Sequence, residues 1–186
     1  MADAATETDF GTEPEALLRE RVQWLDPVRP VLDVGAGVGR NLIWLARQGF
    51  RGHAIEADPD VAARLEADAA GLPLAVYRCP FQVFEPVERY GAVLVFGLLP
   101  LLRRDERDAL LSLLPRWTVA GGLVFLTGFT DRLDPGRWPG ELAPGEICEL
   151  LPDAELLHHE EEIGPEHRHG DGPAHRHAWA RAVLRL

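Results

Sequence analysis

The chain has 186 residues, 46% of them hydrophobic, enough for one sizeable core and too little for two full domains. Its 19 basic residues, all arginine, stand against 30 acidic ones, and the resulting net charge of -11 repels phosphate backbones and anionic bilayers unless a local basic patch overrides it. No basic run exceeds Arg103-Arg104 and no apolar run reaches the roughly eighteen residues of a membrane span, so neither nucleic acid nor membrane is expected as a partner.

Residues 1–13 are acidic and rich in small side chains, unlike an export signal, and are expected to form a flexible tail ahead of a single domain over 14–186. Cys79 and Cys148 form no C-x-x-C pair and suit a reducing compartment, so the expected location is cytoplasmic. Pro14 opens a predicted helix whose apolar face, Ala16, Leu17, Val22, Trp24 and Leu25, stops at Asp26-Pro27. This helix is expected to cover one edge of a ligand pocket.

The pocket itself is expected at residues 30–41. Apolar residues frame Asp33 in a short run that reads as a buried strand; Gly35, Gly37 and Gly39 turn the chain, and residues 42–46 resume with helical spacing. Glycines at these positions let backbone approach a ligand, and the following helix aims its first amides at whatever lies above it. A dinucleotide fingerprint would place its third glycine at position 40, which is arginine. The spacing G-x-G-x-G with Asp33 ahead of it fits S-adenosylmethionine better than a nicotinamide cofactor.

The helix after the glycines is predicted to end at Gln48-Gly49, and a strand over 51–57 follows, carrying Glu56 near its carboxyl end, where an acid can accept hydrogen bonds from two ribose hydroxyls. Asp58-Pro59 reads as a helix cap and first turn. Strands are predicted over 74–78 and 92–96, the second nearly all apolar as a strand buried on both faces should be, with Cys79 placed beside the expected adenine edge. A helix from about Asp105 is predicted to kink or end at Pro115, and Gly121-Gly122 to introduce a fifth strand over 123–127. This alternation predicts an α/β fold, a doubly wound Rossmann-like sheet that binds its ligand at the strands' carboxyl ends.

Residues 128–145 carry three prolines and no periodicity, the composition of a lid or binding loop; Trp138 within it either caps a substrate pocket or anchors packing. A short helix over 145–151 precedes a predicted antiparallel hairpin, 154–168 out and 175–186 back, which brings the sheet to seven strands. If His169 pairs with His175 across the turn, His167 pairs with His177 and four imidazoles share one face, a set that could hold zinc, nickel or copper. Strand-borne His-x-His is also an ordinary solvated pattern, and Arg168 and Arg176 are poor neighbours for a cation. No metal site is therefore assigned.

The run 31–41, the acid at Glu56 and the Gly121-Gly122 strand together resemble a class I S-adenosylmethionine-dependent methyltransferase. Arg40-Asn41, Gly145-Glu146-Ile147 and residues 160–168 resemble more narrowly the tellurite-resistance (TehB-like) methyltransferases. The resemblance implies that Asp33, Gly35, Ala36, Gly37, Gly39 and Asn41 contact the cofactor, joined by Glu56 and Ala57 after the second strand, Cys79 after the third and Phe96 after the fourth. It implies His167 and Arg168 as catalytic residues, with a second arginine at Arg176. The family's aspartate after the third strand is absent here, where Arg78 and Cys79 stand.

Segment 96–100 is no Asn/Asp-Pro-Pro-Tyr motif, which disfavours an amino-methylase, and two thiols are fewer than the three or more of the arsenic methylases. The implied acceptor is a small molecule; thiols, thiopurines, chalcogen oxyanions such as tellurite or selenite, and small metabolites are all served by this fold, and for an oxyanion an arginine fork is the suitable holder because it pairs two oxygens at once. A methyltransferase fold that binds without catalysis, or a metal-binding hairpin, are the alternatives.

Overall fold

The computed structural model describes residues 13–133, 135–166 and 175–186. Seven strands form one sheet in the order β3-β2-β1-β4-β5-β7-β6. They are β1 (Val31–Val34), β2 (Gly52–Glu56), β3 (Leu74–Arg78), β4 (Tyr90–Val95), β5 (Thr118–Phe129), β6 (Glu155–Ile163) and β7 (Ala178–Arg185). The first five run parallel; β7 lies antiparallel between β5 and the edge strand β6. Among the described residues four α-helices accompany them: α1 (Ala16–Arg19), α2 (Arg40–Arg47), α3 (Pro59–Asp68) and α4 (Arg104–Trp117).

The sheet is covered on both faces, which is why β1 and β4 are nearly continuous apolar runs. Leu32 and Val34 point into a cluster closed by Leu110, Leu114 and Trp117 of α4. Val31 points into the opposite cluster with Leu17 and Leu18 of α1, Leu42 and Leu45 of α2, and Leu65 of α3. The chain moves outward from β1 through β2 to β3, then returns to lay β4 on the other side of β1. That reversal opens a crevice at the carboxyl ends of β1 and β4, where ligands bind in doubly wound sheets.

Several elements differ from the sequence reading, and the short helix predicted over 145–151 is a 3₁₀ turn, Glu146–Glu149. The opening helix is one turn of α-helix followed by a 3₁₀ turn, Val22–Trp24, because Leu17, Leu18 and Leu25 reach the core while Ala16 and Trp24 stay exposed, and so short a helix persists only where packing holds it. α4 runs through Pro115 to Trp117, whose ring is buried against Phe84 at 5.6 Å and carries the last turn past the missing amide. β5 starts at Thr118 instead of after the glycine pair. Tyr90 lies opposite Thr118 but Ala92 lies opposite Leu123, so Gly121, at φ +77°, and Gly122 take up the extra residues in a bulge.

The hairpin forms, but in a different register from the one that would align four imidazoles. Ile163 lies opposite Ala178, and the Gly164 amide donates to the His177 carbonyl at 2.9 Å, so His177 faces residue 164 and not His167. An offset of an odd number of residues turns each side chain to the other face. The turn between the strands lies outside the described residues. Edge strand β6 carries Glu160, Glu161 and Glu162, charges that discourage pairing with another chain.

Candidate functional site

β1 ends at Val34, and the Gly35 and Ala36 amides both donate to the Ile55 carbonyl at 2.9 and 3.0 Å, fastening the turn to β2. All three loop glycines have positive φ, +69°, +57° and +81°, but their surroundings differ. Gly35 lies against Leu98 of the loop after β4. A Cβ on Gly39 would fall 2.1 Å from Leu65 Cδ1, so that glycine seats α2 on α3. A Cβ on Gly37 would meet nothing within 4 Å. Gly37 is thus the point of the loop that turns bare backbone to open space.

Glu56, the last residue of β2, accepts from the Gly37 amide at 2.8 Å and from the Asp58 amide at 2.9 Å. Its carboxylate therefore stands beside the open glycine. Asp58 caps α3, accepting from Asp60 and Val61, with Pro59 in the first turn as the sequence predicts. Ala57 between them is exposed.

Asp33 is 1% exposed, and its Oδ2 has no hydrogen-bond partner among the described residues. Burial pushes its pKa up to about 7; the Arg40 guanidinium opposes the shift and Glu56 adds to it. A buried orphan oxygen in the middle of a strand calls for a partner, and it sits two residues before the turn that frames the crevice.

Among the other sequence-predicted residues, Ala36 and Phe96 are buried in one cluster, Phe96 edge-on to Phe125 at 6.3 Å. Cys79, just beyond β3, packs against the α4-side core, where burial raises its thiol pKa. Asn41, buried in α2, accepts the Glu15 amide at 2.8 Å through Oδ1. Arg176 is exposed beside β7, and His167 and Arg168 lie outside the described residues.

Two groups escaped the sequence reading. The His177 ring is buried and stacked on Phe129, the last residue of β5, at 4.1 Å and 8°; Trp138 and Trp179 meet the same phenyl ring at 5.5 and 4.5 Å. Trp138 is thus packed against β5 within the irregular segment. The second group is the carboxylate of Glu15 set between Arg40 and Arg181. A cavity of about 490 Å³ lies elsewhere, at the amino-terminal ends of β4 and β5, lined by Trp24, Arg29, Gly122 and Arg185. It is far from the glycine turn in the sheet and takes no part in this arrangement.

Residues 31–122 match the family model described as a methyltransferase domain. No curated protein matches the sequence. Among solved structures, TehB from Haemophilus influenzae superimposes with a TM-score of 0.81 at 20% identity, covering 92% of this chain and 62% of that one. The chain thus spans less than two thirds of that relative. A TehB-like methyltransferase from Corynebacterium glutamicum gives 0.67 at 19% identity over 89% of this chain and 84% of its own. The glycopeptide N-methyltransferase MtfA, solved with S-adenosylhomocysteine, gives 0.64 at 19% identity over 91% of this chain and 88% of its own. The chain has the class I S-adenosylmethionine-dependent methyltransferase fold, its residues 31–122 match the methyltransferase-domain model, and in fold it resembles TehB and the TehB-like proteins.

Proposed function

We propose that the protein transfers a methyl group from S-adenosylmethionine to a small acceptor, with a chalcogen oxyanion as the leading acceptor class. The observation that carries this is the group at the switch point: open backbone at Gly37, the Glu56 carboxylate 2.8 Å from its amide, and the orphaned Asp33 oxygen. These fit the cofactor's chemistry. Glu56 supplies acceptor lone pairs for ribose hydroxyls, Gly37 admits the ligand without a side chain in the way, and Asp33 offers a buried carboxylate oxygen for the ammonium end. When bound, the sulfonium supplies a methyl group for in-line displacement, which asks the protein chiefly for positioning.

On the acceptor side we assign His167 to orient or deprotonate the acceptor, and Arg168 with Arg176 to hold an anion through their planar forks. Cys79 and Phe96 complete the cofactor side. The second reading, a fold that binds without turnover, is favoured by one observation: a thiol packed toward the core stands after β3, and not a carboxylate.

Calorimetry with S-adenosylhomocysteine, followed by incubation with labelled S-adenosylmethionine and a panel of tellurite, selenite and thiols, tests both. Binding with label transfer is expected, and Arg168→Ala should lower transfer to the oxyanions while leaving cofactor affinity intact. Binding without transfer to any acceptor supports the second reading; absence of binding defeats both.

A further inference from the structure

Glu15 stands at the end of a short segment that crosses from the glycine-loop helix to the hairpin. Its backbone amide donates to Asn41 Oδ1 at 2.8 Å. Its carboxylate meets Arg40 at 3.3 Å through Oε2 and Arg181 at 3.2 Å through Oε1. Arg40 also donates to the Glu13 carbonyl at 2.7 Å. The three side chains are only 12%, 16% and 13% exposed, so these are not solvated surface pairs.

Each partner belongs to a different end of the site. Arg40 is the first residue of α2, directly after Gly39, and bears electrostatically on Asp33. Arg181 lies on β7 opposite Thr127 of β5, with its guanidinium over the Trp179 ring at 5.4 Å, and that ring packs on Phe129. Arg181 also reaches Glu162 at 2.6 Å and Glu160 at 3.4 Å, which ties it to β6. Beyond Glu15, Leu17 and Leu18 are buried in the cluster that holds Ala36, Leu42 and Phe96.

Removing the Glu15 charge leaves two guanidiniums converging on one poorly solvated point, which forces α2 and β7 to part or the segment to lift. We infer that Glu15 is a positioning residue: its carboxylate fastens residues 13–19 across the carboxyl end of the sheet and couples the glycine-loop helix to the C-terminal hairpin. A ligand at Gly37 is then retained only while this strap is fastened. The ligand half of the inference rests on the methyltransferase reading, whereas the coupling between helix and hairpin does not.

The test compares wild type, Glu15→Gln, Arg181→Gln, the double variant and Glu160→Gln, the last removing a more exposed partner of the same arginine. Hydrogen exchange of the unliganded proteins is read over the strap, α2 and β7, with β2–β3 as the reference for general loosening. Glu15→Gln is expected to speed exchange in the strap, α2 and β7 but not in β2–β3, and Glu160→Gln to do neither. S-adenosylhomocysteine is expected to dissociate about tenfold faster from either single variant, with the double variant little worse than the worse single one. Unchanged exchange in β7 of Glu15→Gln overturns the coupling whether or not the ligand binds. Equal dissociation rates from wild type and Glu15→Gln overturn the retention role. A wild-type protein that fails to bind the ligand overturns the retention role together with the methyltransferase reading, and the exchange data still decide the coupling.

Discussion

Two glycines two positions apart in one loop do different work. At Gly39 an added methyl group collides with Leu65, whereas at Gly37 it enters open space and pays only for the left-handed backbone, on the order of 1–2 kcal/mol. Gly37→Ala should therefore stay folded, with a modestly lower melting temperature, and lose S-adenosylhomocysteine affinity; Gly39→Ala should lose much more stability. The reverse ranking by calorimetry and thermal melts would remove Gly37 from the ligand face. Asp33 has a sign that can be checked in the unliganded protein. Its folded pKa, about 7, lies above the ordinary aspartate value of 3.8, so the folded state holds the proton more tightly and stability falls as pH rises through that window. Asp33→Asn should then gain about 2 kcal/mol relative to wild type between about pH 5.5 and about pH 8, measured by denaturant unfolding. A pH-independent difference would mean that the carboxyl titrates normally. Both residues are visible in the sequence because their roles are set within a few positions of the turn. Glu15 is not, since its partner Arg181 is 166 positions away and nothing local marks the pair.

Elements were legible where a local signal decides them. Asp58-Pro59 starts α3, Gln48-Gly49 ends α2, and β3 occupies 74–78, because caps, turns and short apolar runs act over few residues. The opening helix, the reach of α4 and the hairpin register went otherwise, each for a tertiary reason: which leucines find the core, how deeply Trp117 is buried, and where β7 meets β5. The irregular segment after β5 is docked by a close approach of the same kind. A Cβ on Gly140 would lie 1.9 Å from the Leu99 carbonyl oxygen and 2.6 Å from that of Leu102, so Gly140→Ala must push the segment off the turn that follows β4. Trp138 and the fully buried Leu142 flank that contact. Faster tryptic cleavage after Arg132 and Arg137 is expected, with a loss of about 1–3 kcal/mol in stability and lower methyl transfer at nearly unchanged cofactor affinity. Cleavage at the wild-type rate would show that the segment does not depend on this approach.

At the scale of the molecule, the net charge of -11 is the term an anionic acceptor meets first. An oxyanion approaching from beyond a Debye length of about 10 Å at 0.1 M salt feels the sum of all charges, whereas the contact hydrogen bonds of the arginine forks proposed above, Arg168 and Arg176, would form only within the last few ångströms. Raising the ionic strength shortens the range of the repulsion and leaves contact hydrogen bonds largely in place. If the acceptor is tellurite or selenite, kcat/KM should rise with salt between about 10 and about 150 mM at constant pH, most clearly where capture limits the rate. A neutral thiol acceptor should show a nearly flat dependence in the same buffers, because it carries no charge for the field to act on. A fall in kcat/KM for the oxyanion would mean that the arginines dominate the approach as well as the contact. In that case Arg168→Ala and Arg176→Ala should flatten the salt dependence, whereas under global repulsion they should make it steeper.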